Sequence, residues 1–191
     1  MKVVAFNGSA RKDGNTAILL NLVLDELKNE GIETELVHLA RQTLSGCVAC
    51  YKCARTKDQR CSIENDLGNE YLGKMIEAHG ILLGSPTYIA DITANTKALI
   101  ERSTIVSRNN GDLLKRKVGA GVIAVRRAGA LHALSSINYF FLINQMIVPG
   151  SSYWSLAIGR NIGDVRNDAE GIQIMKTLGQ NMAWLLKKLY G

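Results

Sequence analysis

Short apolar runs alternate with longer stretches of helical periodicity along almost the whole chain, and that alternation limits the fold more than any other feature. Residues 2–7 (KVVAFN) form an apolar run ending in a polar turn, which suits a buried parallel strand. Residues 15–30 follow with apolar positions at helical spacing, Ile18, Leu19, Leu22, Val23 and Leu27, and Gly31 supplies the stop. Residues 32–39 (IETELVHL) alternate apolar and polar, as an edge strand does. The pattern then predicts a helix over 65–78, a buried strand over 80–84, a helix over 91–107 and a strand over 117–125. A helix over 129–146, a short strand at 146–149 and an amphipathic helix over 168–190 complete it.

Strands separated by helices pair in parallel, and their crossovers place helices on both faces of the sheet. Five strands in 191 residues, with no second nucleotide-binding half, predict an α/β fold. It is a flavodoxin-like three-layer sandwich with a five-stranded parallel sheet. No repeat or linker divides the chain. Residues 1–191 are expected to form one domain, with a cysteine-bearing loop at 45–64.

In such a sheet ligands bind at the carboxyl edge of the strands. The loop after the first strand reads Asn7-Gly8-Ser9-Ala10-Arg11-Lys12-Asp13-Gly14-Asn15-Thr16 and opens a helix. Ser9, Asn15 and Thr16 offer hydroxyl and amide donors, and a helix N-terminus adds free N–H groups and a positive dipole end. These donors predict an anion site suited to a monophosphate. It is neither a Walker A loop nor Gly-x-Gly-x-x-Gly. The plainer reading makes Asn15 or Thr16 a helix cap. After the third strand, Gly84-Ser85-Pro86-Thr87-Tyr88 falls on the same edge, where backbone amides and the Tyr88 ring suit a planar heterocycle. The alternative is a turn shaped by Pro86 with Tyr88 half-buried.

All four cysteines of the chain, Cys47, Cys50, Cys53 and Cys61, fall in the run CVACYKCARTKDQRC. The N-terminus turns polar too soon for a signal peptide, and no apolar run reaches membrane-spanning length. A cytoplasmic protein without a membrane partner is expected. Disulfides are disfavoured there, so clustered thiols point to metal or redox chemistry, and thiolates select soft centres. Zinc is usually held by two separated cysteine pairs. Three cysteines at two-residue gaps with a fourth nearby lean instead toward an iron–sulfur cluster. Lys52, Arg55, Lys57 and Arg60 interleave the thiols, either to offset cluster charge or as ordinary solvated loop residues. The net charge of +6 favours anionic partners, but the basic residues are spread out. The one tight run, Lys115-Arg116-Lys117, reads as a solvated turn, and no nucleic-acid partner is expected.

Gly8-Ser9-x-Arg11 with Gly14-Asn15-Thr16, then Ser85-Pro86-Thr87-Tyr88 and Lys97-Ala98-Leu99-Ile100-Glu101-Arg102, resembles the NADPH-dependent FMN reductase superfamily. With the cysteine run, the chain resembles the iron–sulfur flavoproteins inside it, over essentially its whole length. The resemblance implies that Ser9, Arg11, Asn15 and Thr16 hold the phosphate of FMN, and that Pro86, Thr87, Tyr88 and Ile89 line the ribityl chain and isoalloxazine. A third loop follows the fourth strand, where Arg127 and Gly129 match the family pattern. Ala130 and Leu131 stand where the family often has glycine and glutamine, a departure that bears on substrate and nicotinamide contacts. The four cysteines would hold a [4Fe–4S] cluster.

The function implied is an FMN-dependent oxidoreductase passing electrons between cluster and flavin, with NAD(P)H, a quinone or a ferredoxin-like protein as redox partner. A homodimer or homotetramer is implied, and no catalytic side chain is singled out. The rival readings are a cluster-free NAD(P)H-dependent FMN or quinone reductase and a zinc-stapled phosphate-binding module. Of the histidines, His38 reads as a half-exposed strand residue and His79 as an imidazolium at a helix end. His132 is the histidine near the ligand loops, with no carboxylate partner visible in sequence. Arg126 reads equally as a ligand contact or an exposed loop residue. Tyr139, Phe140 and Phe141 suit apolar packing or a subunit interface, and the resemblance puts the loop of Trp154 near the flavin of the same or a neighbouring subunit.

Overall fold

The computed structural model covers residues 1–191. Strand β1 spans Lys2–Asn7, β2 Glu33–His38, β3 Gly80–Pro86, β4 Val118–Val125 and β5 Leu156–Ile158. They form one parallel sheet in the order β2-β1-β3-β4-β5. Helices α1 (Asn15–Asn29) and α6 (Ala169–Tyr190) pack on one face. On the other lie α3 (Gly68–Glu77), α4 (Ala94–Asn109) and α5 (Ala130–Ile143), while α2 (Lys52–Thr56) is a single short turn of helix inside the cysteine loop. This is the flavodoxin-like three-layer arrangement that the alternating pattern predicts.

The core explains why β1 reads as a continuous apolar run. Val3 and Ala5 face α1 and α6, and Val4 and Phe6 face the opposite helices; all are buried. Replacing Phe6 with alanine would forfeit about 3–5 kcal/mol by the usual cost of emptying a core aromatic.

Position in the sheet sets where ligands can go. The chain runs from β1 outward to β2 and then returns past β1 to β3. Strand order reverses at that point, and the crevice between the carboxyl ends of β1 and β3 is left open for a ligand.

Two sequence expectations change. The fifth strand is not at 146–149. Ile147 N–H donates to Lys117 O and its carbonyl accepts from Gly119 N–H, both at 2.9 Å, but the ladder stops there. Pro149 has no N–H to continue it. The chain bows outward and rejoins β4 where Ile123 N–H donates to Ser155 O. The bow leaves a cavity of about 460 Å³ beside Gly121, walled by Leu134, Asn138, Trp154 and Leu178. Trp154 therefore lines this hollow rather than the crevice of its own chain. Lys117 is also no solvated turn residue: it is half-buried, its Nζ donates to Ile76 O at 2.8 Å and to Ala78 O, and it satisfies carbonyls at the end of α3. Burial pushes its pKa down. No helix is long and apolar enough to cross a membrane.

Candidate functional site

The first loop is built around Asn7. Its Oδ1 accepts from Ser9 N–H at 3.0 Å and its Nδ2 donates to Lys12 O at 3.1 Å. Asn7 Nδ2 also lies 3.1 Å from Nδ1 of His38, which is half-exposed on β2. Ser9 Oγ accepts from Arg11 N–H. Gly8 runs so close to the next loop that a Cβ there would stand 2.9 Å from Gly84 O, and its carbonyl accepts from Thr93 Oγ1.

The helix that follows is not capped as the simpler reading supposes. Gly14 occupies the cap position, and no side chain satisfies the first turn. The first amides of α1 thus have no intrahelical partner and point into the crevice end of the sheet. The Asn15 side chain is committed elsewhere: Nδ2 donates to Asn161 O and Oδ1 accepts from Gly163 N–H, both at 2.8 Å. Asn15 thereby pins the loop after β5 against the first loop, and its backbone amide rather than its carboxamide remains available for a ligand. Thr16 Oγ1 is buried with no hydrogen-bond partner.

A cleft of about 150 Å³ lies between the first two loops. Ser9, Arg11, Asn15 and Thr16 line one wall; Pro86, Thr87 and Tyr88 line the other. Arg126 and Arg160 complete it, so three guanidinium groups converge on one hollow. Thr87 Oγ1, like Thr16 Oγ1, is buried and unpartnered. Buried hydroxyls seldom stay unpaired in a folded protein, and two on one cleft mark a place shaped for an oxygen-rich anionic ligand. A flavin phosphate and its ribityl chain fit that chemistry. Arg160 is a lining residue that sequence reasoning missed. Its signal was weak, because it enters from the short loop after β5, whose position depended on the misplaced fifth strand.

The second loop closes as a two-residue turn. Tyr88 N–H donates to Asp91 O and Asp91 N–H to Tyr88 O, with Ile89 and Ala90 both left-handed at φ 48° and 63°. Such turns favour Asn-Gly, and a β-branched residue there is strained. The Ile89 side chain is 99% exposed at the rim. The third loop leans on this turn: Gly129 sits at φ 87°, beside Thr87 and Ala90. A hollow of about 310 Å³ separates the two loops, with Thr87, Ile89 and Ala90 facing Arg126 and Arg127. A further hollow of about 300 Å³ runs past Arg127 and Gly129 to Leu131, His132 and Ile158. The residues read from the three loops therefore share one edge of the sheet.

His132 has the carboxylate partner that the sequence did not reveal. Its Nε2 lies 3.6 Å from Asp91 Oδ2. Asp91 Oδ1 accepts from Ser136 Oγ and from Ile92 N–H, each at 2.7 Å. Burial alone would raise the Asp91 carboxyl; those hydrogen bonds, with His132 and Lys97 nearby, hold it below the ordinary range. His79 also departs from expectation. Its Nδ1 accepts from Lys2 N–H at 3.1 Å, and burial, the chain's own N-terminal charge and Lys117 keep it neutral rather than imidazolium.

All four cysteines line one small cavity, together with Val48, Tyr51, Ser62, Arg102, Ile105 and Val106. Ala49 and Tyr51 are left-handed, at φ 53° and 52°, so the chain doubles back between successive thiols. Cys53 is carried on α2. The seven-residue gap closes through specific bonds: Gln59 N–H donates to Asn110 Oδ1, Cys61 N–H donates to Asn69 Oδ1, and Asn69 Nδ2 donates to Cys61 O. Cys47 Sγ accepts from Ala49 N–H, and Cys50 Sγ lies 3.1 Å from Ser62 Oγ. Burial pushes the Cys53 thiol up, and Cys61, Cys47 and Cys50 add to it electrostatically. The hydrogen bond with Ser62 draws the Cys50 thiol down.

The thiols share a wall without forming a preset metal-ligating group, and the cavity measures about 10 Å³. A centre larger than one water must part the loop to bind. Four convergent thiols with N–H and hydroxyl donors to sulfur nonetheless fit a soft centre. The interleaved Lys52, Arg55, Lys57 and Arg60 are exposed; the cation on the cavity wall is Arg102.

Helix α4 connects the two regions. Its cap Thr93 touches Gly8 at the cleft, and Arg102, Ile105 and Val106 wall the cysteine cavity. Cap and Arg102 are roughly 14 Å apart along a helix rising about 1.5 Å per residue.

The family model for NADPH-dependent FMN reductase matches residues 1–161. The chain is 38% identical over 194 residues to an iron–sulfur flavoprotein of Methanocaldococcus jannaschii, covering 98% of each. Among solved structures, RosB with its bound intermediate OHC-RP superposes with a TM-score of 0.79 at 18% identity, over 99% of this chain and 80% of that one. A flavodoxin from the domain Archaea gives 0.64 at 16% identity, over 98% and 99%.

Proposed function

The chain belongs to the NADPH-dependent FMN reductase family and, within it, to the iron–sulfur flavoproteins, and from that membership we propose how its residues hold FMN and a [4Fe–4S] cluster. The observation that carries the flavin assignment is the cleft at the switch point of the sheet, where three arginines meet two unpartnered buried hydroxyls.

The Ser9 and Thr16 hydroxyls, the Arg11 guanidinium and the first amides of α1, including that of Asn15, take the phosphate. Pro86, Thr87, Tyr88 and Ile89 form the wall along the ribityl chain and ring. Arg127, with Gly129 setting the loop, stands where negative charge on the ring is offset. Cys47, Cys50, Cys53 and Cys61 supply the four thiolates. When bound, FMN exchanges electron pairs with one partner and single electrons with another, which is what links a two-electron donor to a one-electron centre. The protein's part is to hold the phosphate, leave the hollow beside Arg127 and His132 open to a partner, and keep the thiols within one domain of residues 1–191.

The redox partner is NAD(P)H, a quinone or a ferredoxin-like protein. A homodimer or homotetramer is supported by Tyr139, Leu142 and Ile143, which are exposed along α5 while Phe140 and Phe141 are buried. The setting is read as cytoplasmic, where thiolate ligands stay reduced. Mass analysis of the chromophore released from the purified protein tests the flavin assignment. FMN is expected; FAD, or no flavin, contradicts it.

A further inference from the structure

Arg102 is a buried cation whose hydrogen bonding is incomplete. Its side chain is 4% exposed and that of Asp66 is 5% exposed. Nη1 donates to both Asp66 oxygens, at 2.7 and 2.6 Å, and Nη2 donates to Ile63 O at 2.9 Å. Nε is buried without a hydrogen bond of full geometry, and Cys61 is the thiol close enough to act on the guanidinium. A buried donor is seldom left without a full partner in a folded protein, so this one calls for a ligand.

The cavity that Arg102 lines is the one shared by the four cysteines, and no other charged side chain lines it. Asp66 accepts the Nη1 edge and thus leaves the Nε edge for another acceptor. Asp66 also accepts from Ser45 N–H at 3.1 Å and from Gly68 N–H at 2.9 Å. The pair therefore ties down the chain just before Cys47, at Ser45, and just after Cys61, at Ile63.

We propose that Arg102 is the positioning residue of the cysteine site: its Nε–H donates to a sulfur of the bound cluster, and its charge raises the cluster's reduction potential while the Asp66 pair holds both ends of the loop. This rests on the reading that the cysteines hold a cluster. Four thiolates around a cluster leave net negative charge. An N–H···S bond and an adjacent guanidinium favour the state carrying the added electron. Lysine keeps the charge but presents its donors from a single nitrogen, without the separate Nη and Nε edges that reach Asp66 and a sulfur in different directions.

The test compares the wild-type holoprotein with Arg102→Lys and Arg102→Gln, purified anaerobically. Iron and FMN per chain are measured, then the cluster midpoint potential by EPR-monitored titration. Pulsed EPR on wild-type protein labelled with nitrogen-15 arginine looks for nitrogen coupled to the reduced cluster. The expected results are a nitrogen-15 coupling that disappears in Arg102→Lys and a potential that falls from wild type through Arg102→Lys to Arg102→Gln. Loaded wild-type protein without the coupling, or an unchanged potential in Arg102→Gln, overturns the inference. If Arg102→Gln does not fold, the coupling in wild-type protein decides alone. A wild-type protein that binds flavin but no iron removes the cluster reading itself, and this inference with it.

Discussion

Gly129 lies against the backbone of Ala90: a Cβ on Gly129 would stand 2.7 Å from Ala90 Cα and 3.0 Å from Thr87 Cγ2. The second and third loops are thus in contact through a residue without a side chain, held at φ 87°. A left-handed backbone costs a non-glycine residue about 1–2 kcal/mol, and here the added atom meets backbone that has little room to yield.

Gly129→Ala is accordingly expected to lower the melting temperature by about 2–8 °C, at about 2–4 °C per kcal/mol for a chain of this size. It is also expected to weaken flavin retention by about tenfold or more, since the same contact shapes the wall formed by Thr87 and Tyr88. Thermal melts and fluorescence of released flavin check the two effects. A stable variant with undiminished flavin affinity would show that the third loop does not shape the cleft.

Thr16→Val separates ligand binding from folding. The hydroxyl has no partner within the protein, so an isosteric side chain should leave the apoprotein as stable as before, or slightly more so. The flavin dissociation constant should rise about tenfold, equivalent to the roughly 1.4 kcal/mol of one hydrogen bond to a charged group. Urea melts of apoprotein and flavin titration measure both. Unchanged affinity would remove Thr16 from the phosphate site.

His79 makes stability depend on pH. Burial first, then the N-terminal charge and Lys117, hold its pKa below the ordinary value, and His38 is shifted the same way by burial and Lys12, with Asp13 opposing. Each histidine is thus more readily protonated in the unfolded chain. Their contribution is fully present above the unfolded pKa of about 6.5 and is lost as pH falls through the lower folded values. His79→Asn offers an acceptor to Lys2 N–H but does not titrate. Urea midpoints at about pH 7.5 and about pH 5.5 should fall less in the variant than in wild type. Equal falls would show that His79 is not a source of the pH dependence.

Much of this architecture was legible because it rests on local pattern. The apolar run of β1, the periodicity of α1 and the glycines of the first loop are statements about consecutive residues. What failed to read was set by distant partners. The fifth strand is displaced because Pro149 cannot bond to Gly119 while Ser155 can accept from Ile123, a competition visible only once β4 lies alongside. Asn15 reads as a phosphate donor or a cap, yet its carboxamide serves Asn161 and Gly163, near the other end of the chain. The same distance hid Asp91 from His132. It also hid Arg102 from the cysteines: the interleaved loop cations are exposed, while the buried charge comes from a helix some forty residues on.

One chain is expected to carry both a flavin and a cluster. Iron, zinc and FMN determined together on anaerobically purified protein test that most directly, alongside Cys61→Ala. Wild type is expected to hold about one FMN and about four irons per chain, as a [4Fe–4S] centre requires, and Cys61→Ala to lose iron while keeping FMN. FMN without iron, or zinc in its place, would contradict the account and leave a flavin reductase whose cysteines do not carry electrons.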